Sequence, residues 1–224
     1  MANTEVIDSS TDKRKVAGRI RQTGRNTSIL GAEDKRSTAN TANALILDLS
    51  SSMSDAVGVN DSRSKCEGMQ ESVTQFVVNS PITSFTTVIY FSSSAGILFP
   101  MGQVGQNRLD IIKTIQSQRP HGTTAMLEAL KLASKQFKSV PNHMTKRAYV
   151  FTDGIPNNDP SSRAEKLKKQ GVTLHTIGFG SGDQIDEDLL RNMASISSSG
   201  APLYNHFEDT ASLTGFMKRQ SKIL

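Results

Sequence analysis

ALILDLSSSM, residues 44–53, begins as a continuous apolar run and ends in side-chain oxygens. A short unbroken apolar run reads as a strand buried on both faces, the kind found in parallel sheets covered by helices. Asp48, Ser50 and Ser52 then fall at alternate positions, which an extended chain places on one side. Ligand sites of open α/β sheets form outside the carboxyl ends of the strands, so these oxygens stand where such sites are built. By itself D-x-S-x-S is also the pattern of a turn or a helix cap, because Asp and Ser satisfy free backbone N–H groups.

Outward from this stretch the chain alternates short apolar runs with segments of helical period. Strands are expected at Ala44 to Asp48, Thr87 to Ser92, Ala148 to Thr152, Thr173 to Phe179 and Leu203 to Phe207, with a short one at Gly96 to Phe99. The link before Gly96 is too short for a crossover helix, so that strand should pair antiparallel at the sheet edge, alone in doing so. Between the strands, Cys66, Met69, Val73, Phe76 and Val77 recur at helical spacing, as do Leu127, Leu130, Ala133 and Phe137. Shorter helices are marked by Ile111, Ile112 and Ile115, by Ala164 and Leu167, by Leu189, Leu190 and Met193, and by Leu213, Phe216 and Met217. The reading is an α/β fold with a doubly wound, mostly parallel six-stranded sheet and helices on both faces.

Two distant segments add chemistry to the first. In HGTTAMLEAL, Gly122, Thr123 and Thr124 precede a helix, and AYVFTDG presents Asp153 at the carboxyl end of a strand. Neighbouring strand ends meet at one crevice, which then holds two carboxylates and three hydroxyls without His or Cys. That is a ligand set for a hard divalent cation such as Mg²⁺ or Mn²⁺.

These residues resemble the von Willebrand factor A domain family, whose metal-ion-dependent adhesion site combines D-x-S-x-S, a loop Thr and a strand-end Asp. The resemblance covers about residues 43 to 224 and includes, in order, TTVIYFSSSAGILFP, GTTAMLEAL, YVFTDGIPN, VTLHTIGFG and IDEDLLRNMAS. It implies Asp48, Ser50, Ser52, Thr124 and Asp153 as metal ligands, direct or through water, with Mg²⁺ expected and Mn²⁺ or Ca²⁺ as alternatives. Ser51 and Thr123 stand where many members have glycine, which restricts the loop backbone while keeping every ligand oxygen.

The chain has 224 residues, 36% hydrophobic and 21% charged, which suits one domain over residues 43–224. Residues 1–42 hold eight basic and five acidic groups out of a net charge of +5, with Lys13, Arg14, Lys15, Arg19, Arg21 and Arg25 uninterrupted by acid, and no aromatic. They read as a flexible basic arm with too little apolar surface to order itself. No run approaches a membrane span, the start has no secretory leader pattern, and the lone Cys66 excludes a disulfide scaffold or a thiolate zinc site. A cytoplasmic location is expected. Cys66 and the methionines read as core filler, and the four histidines are scattered without metal-site spacing.

The family likeness implies a partner protein whose Asp or Glu completes the metal shell. It further implies company such as an AAA+ ATPase or a stress-response or defence assembly, including the tellurium-resistance group. The alternative is a scaffold or nucleic-acid-associated protein docking through the basic arm, by phosphate contacts alone since stacking aromatics are missing. Catalysis is not expected: there is no phosphate loop, and only His121 lies near the site, without an evident orienting carboxylate.

Overall fold

The computed structural model describes residues 41–181 and 185–223. Its main sheet has six strands in the order β5-β4-β1-β6-β7-β8. These are β1 (Thr41–Asp48), β4 (Phe85–Phe91), β5 (Ala95–Gln103), β6 (Thr145–Thr152), β7 (Val172–Phe179) and β8 (Tyr204–Phe207). All neighbours are parallel except β4 and β5, which pair antiparallel at the edge, Phe91 opposite Ala95. The expected architecture is therefore present, with β5 running longer than the Gly96–Phe99 core of the expectation. β1 starts at Thr41, so Thr41 and Ala42 are buried strand residues. The rest of the basic arm read over residues 1–42 lies outside the described residues.

Every residue of β1 is buried, and its alternation divides the core in two. Ala42, Ala44 and Ile46 pack in a cluster with Leu130 and Phe137 of α3 (Met126–Lys138), Ala164 and Leu167 of α4 (Ser161–Lys169) and Leu190 of α5 (Glu187–Met193). Leu45 and Leu47 belong to the opposite cluster, with Met69 and Phe76 of α1 (Lys65–Asn79), Ile111 and Ile115 of α2 (Val104–Gln116) and Leu213 of α6 (Thr210–Gln220). Phe76 meets Tyr149 of β6 edge-on at 5.3 Å between ring centroids. Cys66 is buried among this second set, and burial pushes its thiol up to about 11, as befits a small apolar core group.

One element goes beyond the expectation. A hairpin of β2 (Ala56–Gly58) and β3 (Asp61–Ser64) stands between β1 and α1. Its strands are too short to show alternation; Val57 anchors it in the second core cluster, the Ser181 N–H donates to Val57 O at 2.9 Å, and an ion pair within β3 adds a further tie. The Arg63 guanidinium grips Asp61 through Nε and Nη2 at 2.8 and 2.9 Å, and Asp61 Oδ2 also accepts the Thr210 backbone N–H at 3.0 Å. The hairpin is thereby tied to the start of α6. A capping box at Ser64 and Glu67 then sets where α1 begins, making Lys65 its first residue.

Candidate metal site at the carboxyl ends of the strands

β1 ends at Asp48, and Leu49 continues towards the neighbouring strand by donating its N–H to Phe91 O at 2.8 Å. Asp48 is fully buried, with Oδ1 accepting the Ser50 backbone N–H at 2.8 Å and Oδ2 accepting the Thr152 hydroxyl at 2.6 Å. Burial raises its pKa to about 6 against the opposing pull of the Ser50 and Thr152 hydrogen bonds, and the nearby Asp153 charge adds to the rise. The carboxylate thus folds the Ser50 turn onto the end of β1 at an electrostatic cost that a cation would relieve.

The turn carries the next two oxygens. Residues Ser51–Ser54 form a short 3₁₀ turn, and Ser50 Oγ lies 3.2 Å from Ser52 Oγ. The Ser52 hydroxyl donates to Asp153 Oδ1 at 2.8 Å, joining the end of β1 to the end of β6 across 101 residues of sequence. Asp48, Ser50, Ser52 and Asp153 form one connected polar cluster.

Thr124 arrives from the loop before α3. This loop is stitched to β1 by His121 N–H to Leu49 O at 2.6 Å and by Ser51 N–H to Gly122 O at 3.0 Å. Gly122 has φ +76°, and a side chain there would collide with Ser93 Oγ, so the position is glycine's for two reasons. Of the two threonines, Thr123 is exposed and accepts a hydrogen bond from Asn157 Nδ2 at 2.9 Å. Thr124 is 9% exposed, and its Oγ1 lies 4.0 Å from where a Cβ on Gly154, next to Asp153, would stand. Asn157 accepts the Thr124 N–H at 3.4 Å and donates its own N–H to Thr124 O at 3.0 Å. The structure therefore gathers all five sequence-read oxygen residues at one end of the sheet.

Three contributors carry no signal of this role in the sequence. Thr152 and Asn157 position the loops that carry these oxygens, and the third is a charge. Lys65 is 7% exposed and its Nζ lies 2.8 Å from Asp153 Oδ2. The lysine stem reaches inward past Gly180 at the end of β7, where an added Cβ would stand 2.6 Å from Lys65 Cε; Gly180 itself has φ +114°. His121, by contrast, stays at the margin: Nε2 is 3.2 Å from Ser92 Oγ and Nδ1 is 3.1 Å from Arg119 O. Asp186 caps α5 by accepting the Leu189 N–H at 3.0 Å.

The donor set fits a hard divalent ion. It is all oxygen, with two carboxylates supplying charge and three hydroxyls supplying neutral ligands. Among the described residues no group of three or more His, Cys, Asp or Glu that could hold a metal ion occurs, so any ion here would depend on the hydroxyls beside the two carboxylates.

Comparison with known proteins agrees with this architecture. A protein from Synechocystis carried as uncharacterized protein sll0103 is 30% identical over 122 residues, which is 53% of this chain and 28% of that protein's length. Among solved structures, a von Willebrand factor type A protein from Catenulispora acidiphila superposes with a TM-score of 0.68 at 19% identity, covering 82% of this chain and 42% of the other. The pilus adhesin SpaC from Lactobacillus rhamnosus GG gives 0.67 at 14% identity, covering 82% and 30%. The chain thus spans less than half the length of each of these proteins. The family model for the von Willebrand factor type A domain matches residues 44–219, and the chain belongs to that family.

Proposed function

We propose that this protein is a metal-dependent protein-binding module. Asp48, Ser50, Ser52, Thr124 and Asp153 would hold a divalent cation, Mg²⁺ by preference, and a partner protein would offer an Asp or Glu to it. The observation that carries the reading is the convergence of five oxygen side chains from two strand ends and the loop between α2 and α3, with no nitrogen or sulfur group among them. Von Willebrand factor A domains often mediate protein interactions and commonly bind a divalent cation, which supports the same reading.

When bound, the ion supplies a positive position with coordination left for an external carboxylate. The chain's own part is pre-organisation. Asp48 fixes the turn that carries Ser50 and Ser52, Ser52 links that turn to Asp153, and Asn157 holds the Thr124 loop. Mg²⁺ retains exchangeable waters in such sites, which suits capture of an anionic oxygen.

A non-catalytic role is part of the proposal. Hydrolysis requires a positioned base or nucleophile, and the nearby imidazole, His121, meets a serine hydroxyl and a backbone carbonyl, without a carboxylate to orient it among the described residues. An intracellular setting belongs to the same reading, supported by a single, buried cysteine.

The test is capture from native lysate at moderate salt, comparing wild type in Mg²⁺, wild type in EDTA, and the Asp48→Ala and Ser50→Ala variants in Mg²⁺. A partner held by wild type in Mg²⁺ and released in the other conditions, with circular dichroism unchanged, is the expected result. A partner retained equally by both variants would overturn the reading and move the recognition surface elsewhere.

A further inference from the structure

Lys65 breaks two local rules at once. A basic side chain in the first turn of a helix faces the positive end of the helix dipole. It is also 7% exposed, whereas lysines are almost never buried without a partner. The partner here is Asp153, at 2.8 Å, and Asp153 is itself 1% exposed. The ammonium is held in this place by construction: the Ser64–Glu67 capping box fixes the start of α1, the Lys65 N–H donates to Asp55 O at 2.8 Å, and Gly180 leaves room for the stem.

From this geometry we propose that Lys65 is a resident counter-ion that competes with the divalent cation for the Asp153 carboxylate. The inference rests on the reading of the strand-end cluster as a cation site. In the ion-free protein the ammonium satisfies Asp153 Oδ2 while Ser52 satisfies Oδ1, so the carboxylate is already paired on both oxygens. Lys65 cancels half of the formal negative charge brought by Asp48 and Asp153. Cation entry has to draw Asp153 away from the ammonium, and because both partners of this pair are buried their attraction is poorly screened. The site is thereby set to weaker metal affinity than its five oxygens alone would give.

The experiment is calorimetric titration of EDTA-treated, dialysed full-length protein with Mn²⁺ and with Mg²⁺, comparing wild type, Lys65→Met and Lys65→Arg. Removing the charge should tighten cation binding by about tenfold or more, while the charge-preserving arginine stays near wild type. If Lys65→Met binds no tighter than a wild type that does bind, the competition is overturned and the metal site stands. If neither folded protein takes up cation, both the competition and the underlying metal reading fall. Should Lys65→Met not fold, the unaltered chain gives a second measurement: acylation of Lys65 by an amine-reactive reagent, mapped by mass spectrometry, should rise on saturation with Mn²⁺. Unchanged protection of Lys65 in cation-saturated protein would overturn the proposal.

Discussion

Asp61 and Asp153 are both buried carboxylates beside a cation, and their cations enter the chain two residues apart, at Arg63 and Lys65. Asp61 is saturated. It takes two guanidinium contacts and the Thr210 N–H, and the Arg63 hydrogen bonds, the largest influence, hold its carboxyl far below the usual carboxylate range. Arg63 is itself half in solvent and reaches Glu71 at 2.6 Å, so its charge has an outlet. Asp153 has one ammonium and one hydroxyl, and its lysine is buried too, at 9% side-chain exposure against 1% for the carboxylate. A carboxylate gripped by a planar fork is a structural tie; one held by a single point charge and a hydroxyl is the more easily exchanged pairing. The same pairing chemistry serves the fold in one place and leaves room for function in the other.

Asp153→Ala should give the largest effect on stability. It strands the Lys65 ammonium in a buried site, which costs about 3–5 kcal/mol in ion-free protein by denaturant unfolding. Adding Lys65→Met should recover half or more of that loss, because the stranded charge goes with it. Failure of the double variant to recover would mean that the ammonium finds water once released, and the contrast with Arg63 would disappear.

Asp61→Ala should cost less, about 2–3 kcal/mol, from the lost charged hydrogen bonds and the buried Thr210 N–H left without its acceptor. Here Arg63→Ala on top should recover little, since the guanidinium is already free to reach solvent and Glu71. Urea unfolding of the single and double variants tests this directly. A recovery as large as at Lys65 would make the two pairs equivalent and break the comparison.

How far this was legible in the sequence follows the same division. The runs at 44–47, 87–92 and 148–152 announce buried strands because no charged residue interrupts them, and the faces of α1 and α3 announce themselves through residues such as Met69, Val73, Leu130 and Phe137. Asp48, Ser50, Ser52 and Asp153 were readable because their spacing coincides with strand ends. The hairpin over residues 56–64 was not, since its strands are three and four residues long and are held by the single buried Val57 and by bonds to distant Ser181 and Thr210 rather than by apolar alternation. Lys65 was not either: a lysine beside an amphipathic helix reads as solvated, and only the inward path past Gly180 reveals where its ammonium goes. Long-range polar pairing across 88 residues leaves no local pattern to find.

Acid separates the two regions by sign. Asp61, whose folded pKa is depressed, contributes stability that is present above the unfolded value near 3.9 and is lost only as pH falls below it, so it is silent between pH 7 and 5. Asp48 works the other way: with its folded pKa raised by burial to about 6, its contribution is fully present below its unfolded value and is lost as pH rises through 6. Ion-free protein should therefore gain stability from Asp48, of order 2 kcal/mol, as pH is lowered from 7 to 4. His175 opposes this in the same window. It is stacked on Tyr149 at 4.8 Å, and burial lowers its pKa to about 4, so its contribution is present above 6.5 and lost as pH falls towards 4. The wild-type profile is then nearly flat, and variants expose the parts. In EDTA, Asp48→Asn should lose stability between pH 6 and 4, because His175 takes up its proton there in the unfolded chain and not in the fold, whereas His175→Phe should gain it over the same range. Asp61→Asn should change the profile only below pH 4, and a slope change from it between pH 6 and 5 would mean that the hairpin tie shares the electrostatics of the strand-end site.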